Sequence, residues 1–121
     1  PLRRQSQMCI RDRLNESQDK FDLLVALDVL IYIGDVQSTF KAVHKSCKSD
    51  SLFVFSVEIQ DENGYSLLKS SRYAHADEYI MDQTNGLFDL VNSQNVRLRK
   101  EGEHWIEGRI YVFRPEKILQ G

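Results

Sequence analysis

Cysteine is scarce in this sequence. Only Cys9 and Cys47 occur in 121 residues, which is neither the number nor the spacing of a disulfide framework or a zinc site. A reducing cytoplasm is the expected compartment. Charge of one sign is scarce too: sixteen Lys and Arg against eighteen Asp and Glu leave a formal −2, so the strong basic field with which proteins capture phosphates is missing. Nucleic acid is not an expected partner. The longest apolar run, Leu23 to Ile33, is broken by Asp28 and falls short of the roughly 20 apolar residues a bilayer requires. No membrane partner is expected either. His44 and His104 have no companion at metal-ligand spacing, so no metal site is predicted and both read as solvated or structural. What the sequence does have is 41% hydrophobic and 28% charged residues, the balance of one small domain with a packed core.

The first thirteen residues, PLRRQSQMCIRDR, carry four Arg and one Asp with apolar residues at no regular period. The string MCIRDR resembles translated adapter read-through at the ends of metagenomic gene fragments. Residues 1–13 are therefore expected to be non-native or disordered, the alternative being a basic arm. Without their net +3 the remaining chain stands at −5.

Phe21 to Asp28 is a short, nearly continuous apolar run, as in a strand buried on both faces of a parallel sheet. Gly34-Asp35 breaks it, and Val36, Phe40, Val43 and Cys47 recur at spacings of four, three and four. That period predicts a helix, with Lys45 and Lys48 in its last turn, Cys47 on its core stripe and Ser49-Asp50-Ser51 at its end. Leu52 to Glu58, rich in Phe and Val, predicts a second strand. A strand, a helix and a strand make a βαβ unit with a right-handed crossover. Gln60 to Gly64 reads as a loop, and Tyr65 to Ala76, lacking a period, as an ordered loop. Asp77 to Asn85 predicts a short helix stopped at Asn85-Gly86. From Leu87 the period is two, with a turn at Glu101-Gly102-Glu103 and a final strand, Trp105 to Phe113, ended by Pro115. Trp105, Tyr111 and Phe113 share one face of it and read as core or helix-packing residues. Residues 116–121 are a tail.

The order of these elements is that of the second half of an open α/β sheet. Such sheets bind ligands outside the carboxyl ends of their strands, and no glycine-rich strand-to-helix turn precedes Phe21. Four segments, FDLLVALDVLIYIGD, LFVFSVE, GYSLLKSSRYAHADEYI and VRLRKEGEHWIEGRIYVF, together resemble the C-terminal half of a class I S-adenosylmethionine-dependent methyltransferase. They look most like the predicted methyltransferase domains attached to tetratricopeptide repeats. The resemblance covers about residues 20–114. It implies the α/β fold of a truncated, doubly wound, Rossmann-like sheet ending in an antiparallel β-hairpin, with residues 14–115 supplying its last four strands. It implies S-adenosylmethionine as cofactor of the intact domain, methyl transfer to an unidentified small-molecule or protein acceptor, and a tetratricopeptide-repeat domain in the parent chain. The glycine-rich turn and the acidic residue ending the second strand of the family are absent, and Ser49-Asp50 stands where a Gly-Gly turn is frequent. This chain is thus expected to be an inactive fragment. The rival reading is a non-catalytic α/β interaction module, which needs a polar or charged edge on its first strand.

Asp28 sits at the expected carboxyl end of a buried strand. The resemblance implies that Asp28, Val29 and Leu30 border the methionine part of the cofactor, the alternative for Asp28 being a cap on the following turn. Tyr32 is a candidate for the acceptor pocket or for packing. Glu58 ends the next strand on the same rim, where a second carboxylate serves a cationic substrate or acts as a base, unless it is a plain strand-end charge in water. Arg72, Tyr73 and His75 crowd one loop. His75 is the candidate general base, Arg72 and Tyr73 candidate acceptor-binding groups. The alternative is that Arg72 and His75 make local ion pairs with Asp77 and Glu78.

Overall fold

The structure, a computed structural model, describes residues 20–116. The segment 1–13 and nearly all of the tail lie outside the described residues. Strand β1 (Phe21–Ala26) leads through a 3-10 turn (Leu30–Tyr32) to α1 (Gln37–Lys45) and β2 (Cys47–Ile59). A short hairpin of β3 (Tyr65–Leu67) and β4 (Tyr73–His75) follows, then α2 (Asp77–Thr84) and the long pair β5 (Phe88–Glu101) and β6 (His104–Pro115). β1 lies parallel to β2, with Leu24 opposite Phe53 and Ala26 opposite Phe55. This is the expected βαβ unit. On its other side β2 pairs antiparallel with β6, and β6 with β5, while β4 continues beside the end of β2 in parallel, giving a six-stranded mixed sheet.

Strand alternation places Phe53, Phe55 and Val57 of β2 on one face together with Tyr111 and Phe113 of β6, all fully buried. Both helices cover that face. Val36, Phe40 and Val43 from the first, and Ile80 from the second, close the core. The rings of Phe55 and Phe113 stack with centroids 5.7 Å apart and planes 6° from parallel. Each fully buried Phe or Val contributes about 1.5–3 kcal/mol by leaving water. The opposite face differs. Leu23 and Val25 of β1 are 56% and 51% exposed, Leu52 beside them is exposed as well, and no described helix lies over them.

Four expectations are corrected. α1 stops at Lys45: the Ser46 N–H still bonds back to the carbonyls of Ala42 and Val43 at 3.2 and 3.0 Å, but the Ser46 carbonyl accepts the Phe21 N–H at 2.9 Å, which turns the chain into the sheet. Cys47, Lys48 and Ser49 to Ser51 therefore belong to β2 and not to the helix. Ser51 ties this stretch down: its Oγ accepts the Lys48 N–H at 2.7 Å and donates to the Phe21 carbonyl. The segment from Tyr65 to Ala76 is a hairpin, whose two strands of three residues are too short to show a period. β1 ends at Ala26, before Asp28. Trp105 is 47% exposed although it shares a face with Tyr111 and Phe113. It lies six positions before Tyr111, about 20 Å along a strand, which carries it past the core to the hairpin tip, where Arg97 and Lys100 lie 5.7 and 6.0 Å from its ring centre.

Gly108 of β6 faces Leu98, and a Cβ placed there would come within 2.6 Å of the Val57 carbonyl oxygen. Backbone does not give way as a side chain does. Gly108→Ala is expected to cost about 1–3 kcal/mol, read as a lower urea midpoint at unchanged slope, whereas Gly102→Ala, where nothing lies within 4 Å, meets only the strain of a positive φ.

Candidate functional site

Past the end of β1 the backbone turns sharply. Asp28 takes a left-handed conformation, φ 57°, which aspartate tolerates better than most residues because its short polar side chain bonds locally. Its N–H donates to Ser56 Oγ at 3.1 Å, so the turn is fastened to β2. Its carboxylate, 55% exposed, accepts from Arg99 at 3.3 Å. Val29, next in the chain, is half-buried and receives the Tyr32 N–H on its carbonyl at 3.2 Å. The Leu30 side chain is in the core. Of these three candidates for cofactor contact, only Asp28 and Val29 present side-chain surface.

Glu58 lies on the same rim, but it is not a strand-end charge in water. Its side chain is 3% exposed, and Oε1 accepts from Arg99 and, at 3.4 Å, from Arg72 Nε. Arg72 also pairs with Glu101, as does Arg99 at 3.7 Å. Two guanidiniums thus join three carboxylates drawn from the β1 turn, β2 and β5. Arg72 does not pair with Asp77 or Glu78. Asp77 instead receives the Tyr111 hydroxyl at 2.6 Å and faces Arg109 at 3.4 Å.

His75 is fully buried. Its Nε2 lies 2.8 Å from the Ile33 carbonyl and 3.0 Å from that of Gly34. Both are acceptors, so Nε2 carries the proton in this arrangement and Nδ1 carries the lone pair. Nδ1 is buried without a hydrogen-bond partner among the described residues. Burial holds the imidazole below its ordinary pKa, against the two carbonyls that favour protonation. Tyr65, Tyr73 and Tyr79 gather around it, with Tyr65 5.9 Å from Tyr73 and 5.3 Å from Tyr79. A Cβ on Gly34 would meet Tyr65 and Tyr73 at 2.6–2.8 Å, so glycine there lets the hairpin close on the Gly34-Asp35 bend. Tyr79 Oη accepts the Val36 N–H at 3.2 Å, and its own pKa is raised chiefly by burial. Tyr32 borders this region, partly exposed.

The structure therefore gathers Asp28, Glu58 and Arg72 into one ionic cluster and Tyr73 and His75 into one aromatic cluster. It does not pair His75 with Glu58. The register sets Glu58 opposite Ala74 and Ile59 opposite His75, which puts the two candidate catalytic side chains on opposite faces of the sheet. Arg99, Glu101, Ser56, Tyr65 and Tyr79 are absent from the sequence-based candidates. The single hint of Arg99 was that a buried strand ending in Glu needs a cationic partner. Among the described residues no group of three His, Cys, Asp or Glu is placed to hold a metal ion, and no helix is long and apolar enough to cross a membrane.

A depressed His75 pKa means that the unfolded chain binds this proton more readily than the folded one. Its contribution is present above the ordinary histidine pKa of about 6.5 and is lost as pH falls below it. Urea denaturation between pH 7.5 and 5 is expected to show stability falling with pH, with a shallower fall in His75→Gln. An unchanged slope would refute the assignment.

No protein-family model matches the chain, and no curated protein matches it in sequence. Solved structures do. A methyltransferase of Methanosarcina mazei, described as S-adenosylmethionine-dependent, superposes with a TM-score of 0.63 at 12% identity over 84% of this chain and 63% of its own. The N-methyltransferase NodS of Bradyrhizobium japonicum, in complex with S-adenosylhomocysteine, gives 0.63 at 18% identity, over 84% of this chain and 50% of its own. The 1,6-didemethyltoxoflavin N1-methyltransferase of Burkholderia thailandensis, with that compound and S-adenosylhomocysteine bound, gives 0.66 at 18% identity, over 86% and 48%. This chain spans about half to two-thirds of the length of these three neighbours. Over that span its fold is that of the S-adenosylmethionine-dependent methyltransferases.

Proposed function

We propose that this chain is the carboxyl-terminal portion of an S-adenosylmethionine-dependent methyltransferase whose acceptor is a small molecule or a protein. The observation that carries the reading is β1. Among the described residues it is a parallel strand with one partner, its Leu23 and Val25 stand in solvent, and parallel strands belong inside sheets covered on both faces. The interaction-module reading needs a charged or polar edge there; β1 carries one exposed charge, Asp22 at its start, and otherwise offers Leu23, Val25 and, just beyond, Leu27. A further parallel strand beside β1 satisfies the edge, and its helices satisfy the face.

Bound S-adenosylmethionine supplies an electrophilic methyl group. The described residues fit one rim of a site for it and no more. The Asp28 turn, fastened by Ser56 and Arg99, borders the methionine portion with Asp28 and Val29, and Leu30 holds the turn to the core. Tyr32, Arg72 and Tyr73 flank the acceptor side. Glu58 orients the acceptor. His75, with Nε2 committed to two carbonyls, positions the Gly34-Asp35 bend; serving as the general base would require its buried Nδ1 to become reachable. No glycine-rich turn is present to cradle the rest of the cofactor. A tetratricopeptide-repeat domain in the parent chain and a cytoplasmic location complete the proposal.

Isothermal titration tests it. The 121-residue chain is expected to show no measurable binding of S-adenosylhomocysteine, and a longer product of the same gene, carrying a strand and glycine-rich turn ahead of β1, is expected to bind it. Low-micromolar binding by the 121-residue chain alone would overturn the placement of the cradle outside it. A longer product that still fails to bind would overturn the methyltransferase reading.

A further inference from the structure

The two strands of the β3–β4 hairpin are fastened unequally. β4 is held from both sides, by β2 at Ala74 and His75 and by β3 along its length. β3 is an edge strand of three residues whose one partner among the described residues is β4. Backbone bonds close the two ends of this pair, from the Leu68 N–H to the Arg72 carbonyl at 2.8 Å and from the Ala76 N–H to the Gly64 carbonyl at 2.9 Å. Leu67, Leu68 and much of Tyr65 stand in solvent, so β3 buries little apolar area against the rest of the molecule. Just ahead of it Gly64 has a φ of 76°, with nothing within 4 Å of where its Cβ would be, so the chain can swing there without meeting a neighbour. Segments with few buried contacts open locally, at free energies well below that of global unfolding.

What β3 contributes is cover for His75. The register sets Tyr65 directly opposite His75, so both side chains lie on the helix side of the sheet, with ring centres 6.1 Å apart. The same Tyr65 ring rests on the bare Cα of Gly34, where an added Cβ would stand 2.6 Å from it. His75 Nε2 is committed to the Ile33 and Gly34 carbonyls, while Nδ1 is enclosed with its lone pair unused. We propose that β3 is a flap, hinged at Gly64 and latched by Tyr65 on Gly34, whose opening brings His75 Nδ1 to solvent. The approach is from the helix side and does not cross the face bearing Leu23, Val25 and Leu52. That the uncovered nitrogen takes a proton from the methyl acceptor rests on the methyltransferase reading; the flap itself does not.

The 121-residue chain carries its own standards for the test, since His44 is half-buried and His104 exposed. Diethyl pyrocarbonate acylates an unprotonated imidazole nitrogen that it can reach. At pH 7.5, above the ordinary histidine pKa of about 6.5, the reaction of each histidine is followed by peptide mass spectrometry, and amide exchange by NMR. The protection of His75 relative to His104 is expected to match that of the Leu68 and Ala76 amides and to fall far below that of the core amides of Phe55 and Tyr111. Tyr65→Ala removes the latching ring and Gly34→Ala unseats it. Each is expected to raise the His75 rate about tenfold, the scale of one aromatic contact, with His44 and His104 unchanged. Tyr65 is partly exposed, so its variant carries the test if Gly34→Ala fails to fold. Phe88→Leu, which weakens the core at the other end of the sheet, is expected to leave the His75 rate unchanged. Protection of His75 equal to that of the core amides, indifference to Tyr65→Ala, or an equal rise with Phe88→Leu would overturn the flap. So would reaction as fast as that of His104, which would mean that nothing covers His75. No cofactor enters these measurements, so their failure is distinguishable from failure of the longer gene product to bind S-adenosylhomocysteine.

Discussion

Every other arrangement in this molecule depends on the pairing of β2. Its thirteen residues hold β1 along the first part of one side, β4 at the end of that side, and β6 along the other. Alternation then does the sorting. Phe53, Phe55 and Val57 turn toward the helices, and Leu52, Val54, Ser56 and Glu58 turn away. A slip of one residue would exchange a set of aromatic rings for a set containing a carboxylate, so the buried register has no close competitor. Because β1 and β4 take successive parts of one side of β2, the turn after β1 is brought near the entry to β4. That is why Asp28 and Arg72, distant in sequence, share the company of Glu58.

Much of this was legible where local pattern and tertiary role agree. The apolar runs around Val25 and Phe55, the period through Val36, Phe40 and Val43, and the period-two ending all became the elements their spacing implies. Failures occurred where tertiary hydrogen bonds override period. Cys47 continues the helical stripe, yet the Phe21 N–H bonds to the Ser46 carbonyl at 2.9 Å and draws Cys47 into the sheet. Tyr73 to His75 has no period because three residues beside the end of β2 need none. Trp105 obeys its alternation but outruns the core.

The candidate residues were legible as types and not as partners. Glu58 and Arg72 each stand out by type, but nothing local says that they meet or that Arg99 from the far hairpin joins them. Such a cluster is built from side chains whose only common property is the end of the sheet at which their strands stop. His75 stands out for its chemistry in an expected loop, and that segment is a strand. Once Ile59 is its neighbour in the ladder, the imidazole falls on the opposite side of the sheet from Glu58, a consequence invisible until the register is known.

The open face and the ionic cluster are energetically connected. Arg99 and Asp28 now interact partly in water, where an ion pair contributes little, while Glu58 is already desolvated and depends on both arginines. Covering Leu23, Val25 and Leu52 would remove apolar area from water at about 25 cal/mol per Å². It would also lower the effective dielectric around Asp28, strengthening its attraction to Arg99. The same event would bury the Asp28 carboxylate more deeply, a desolvation cost that its hydrogen bond from Arg99 offsets only where the geometry is good.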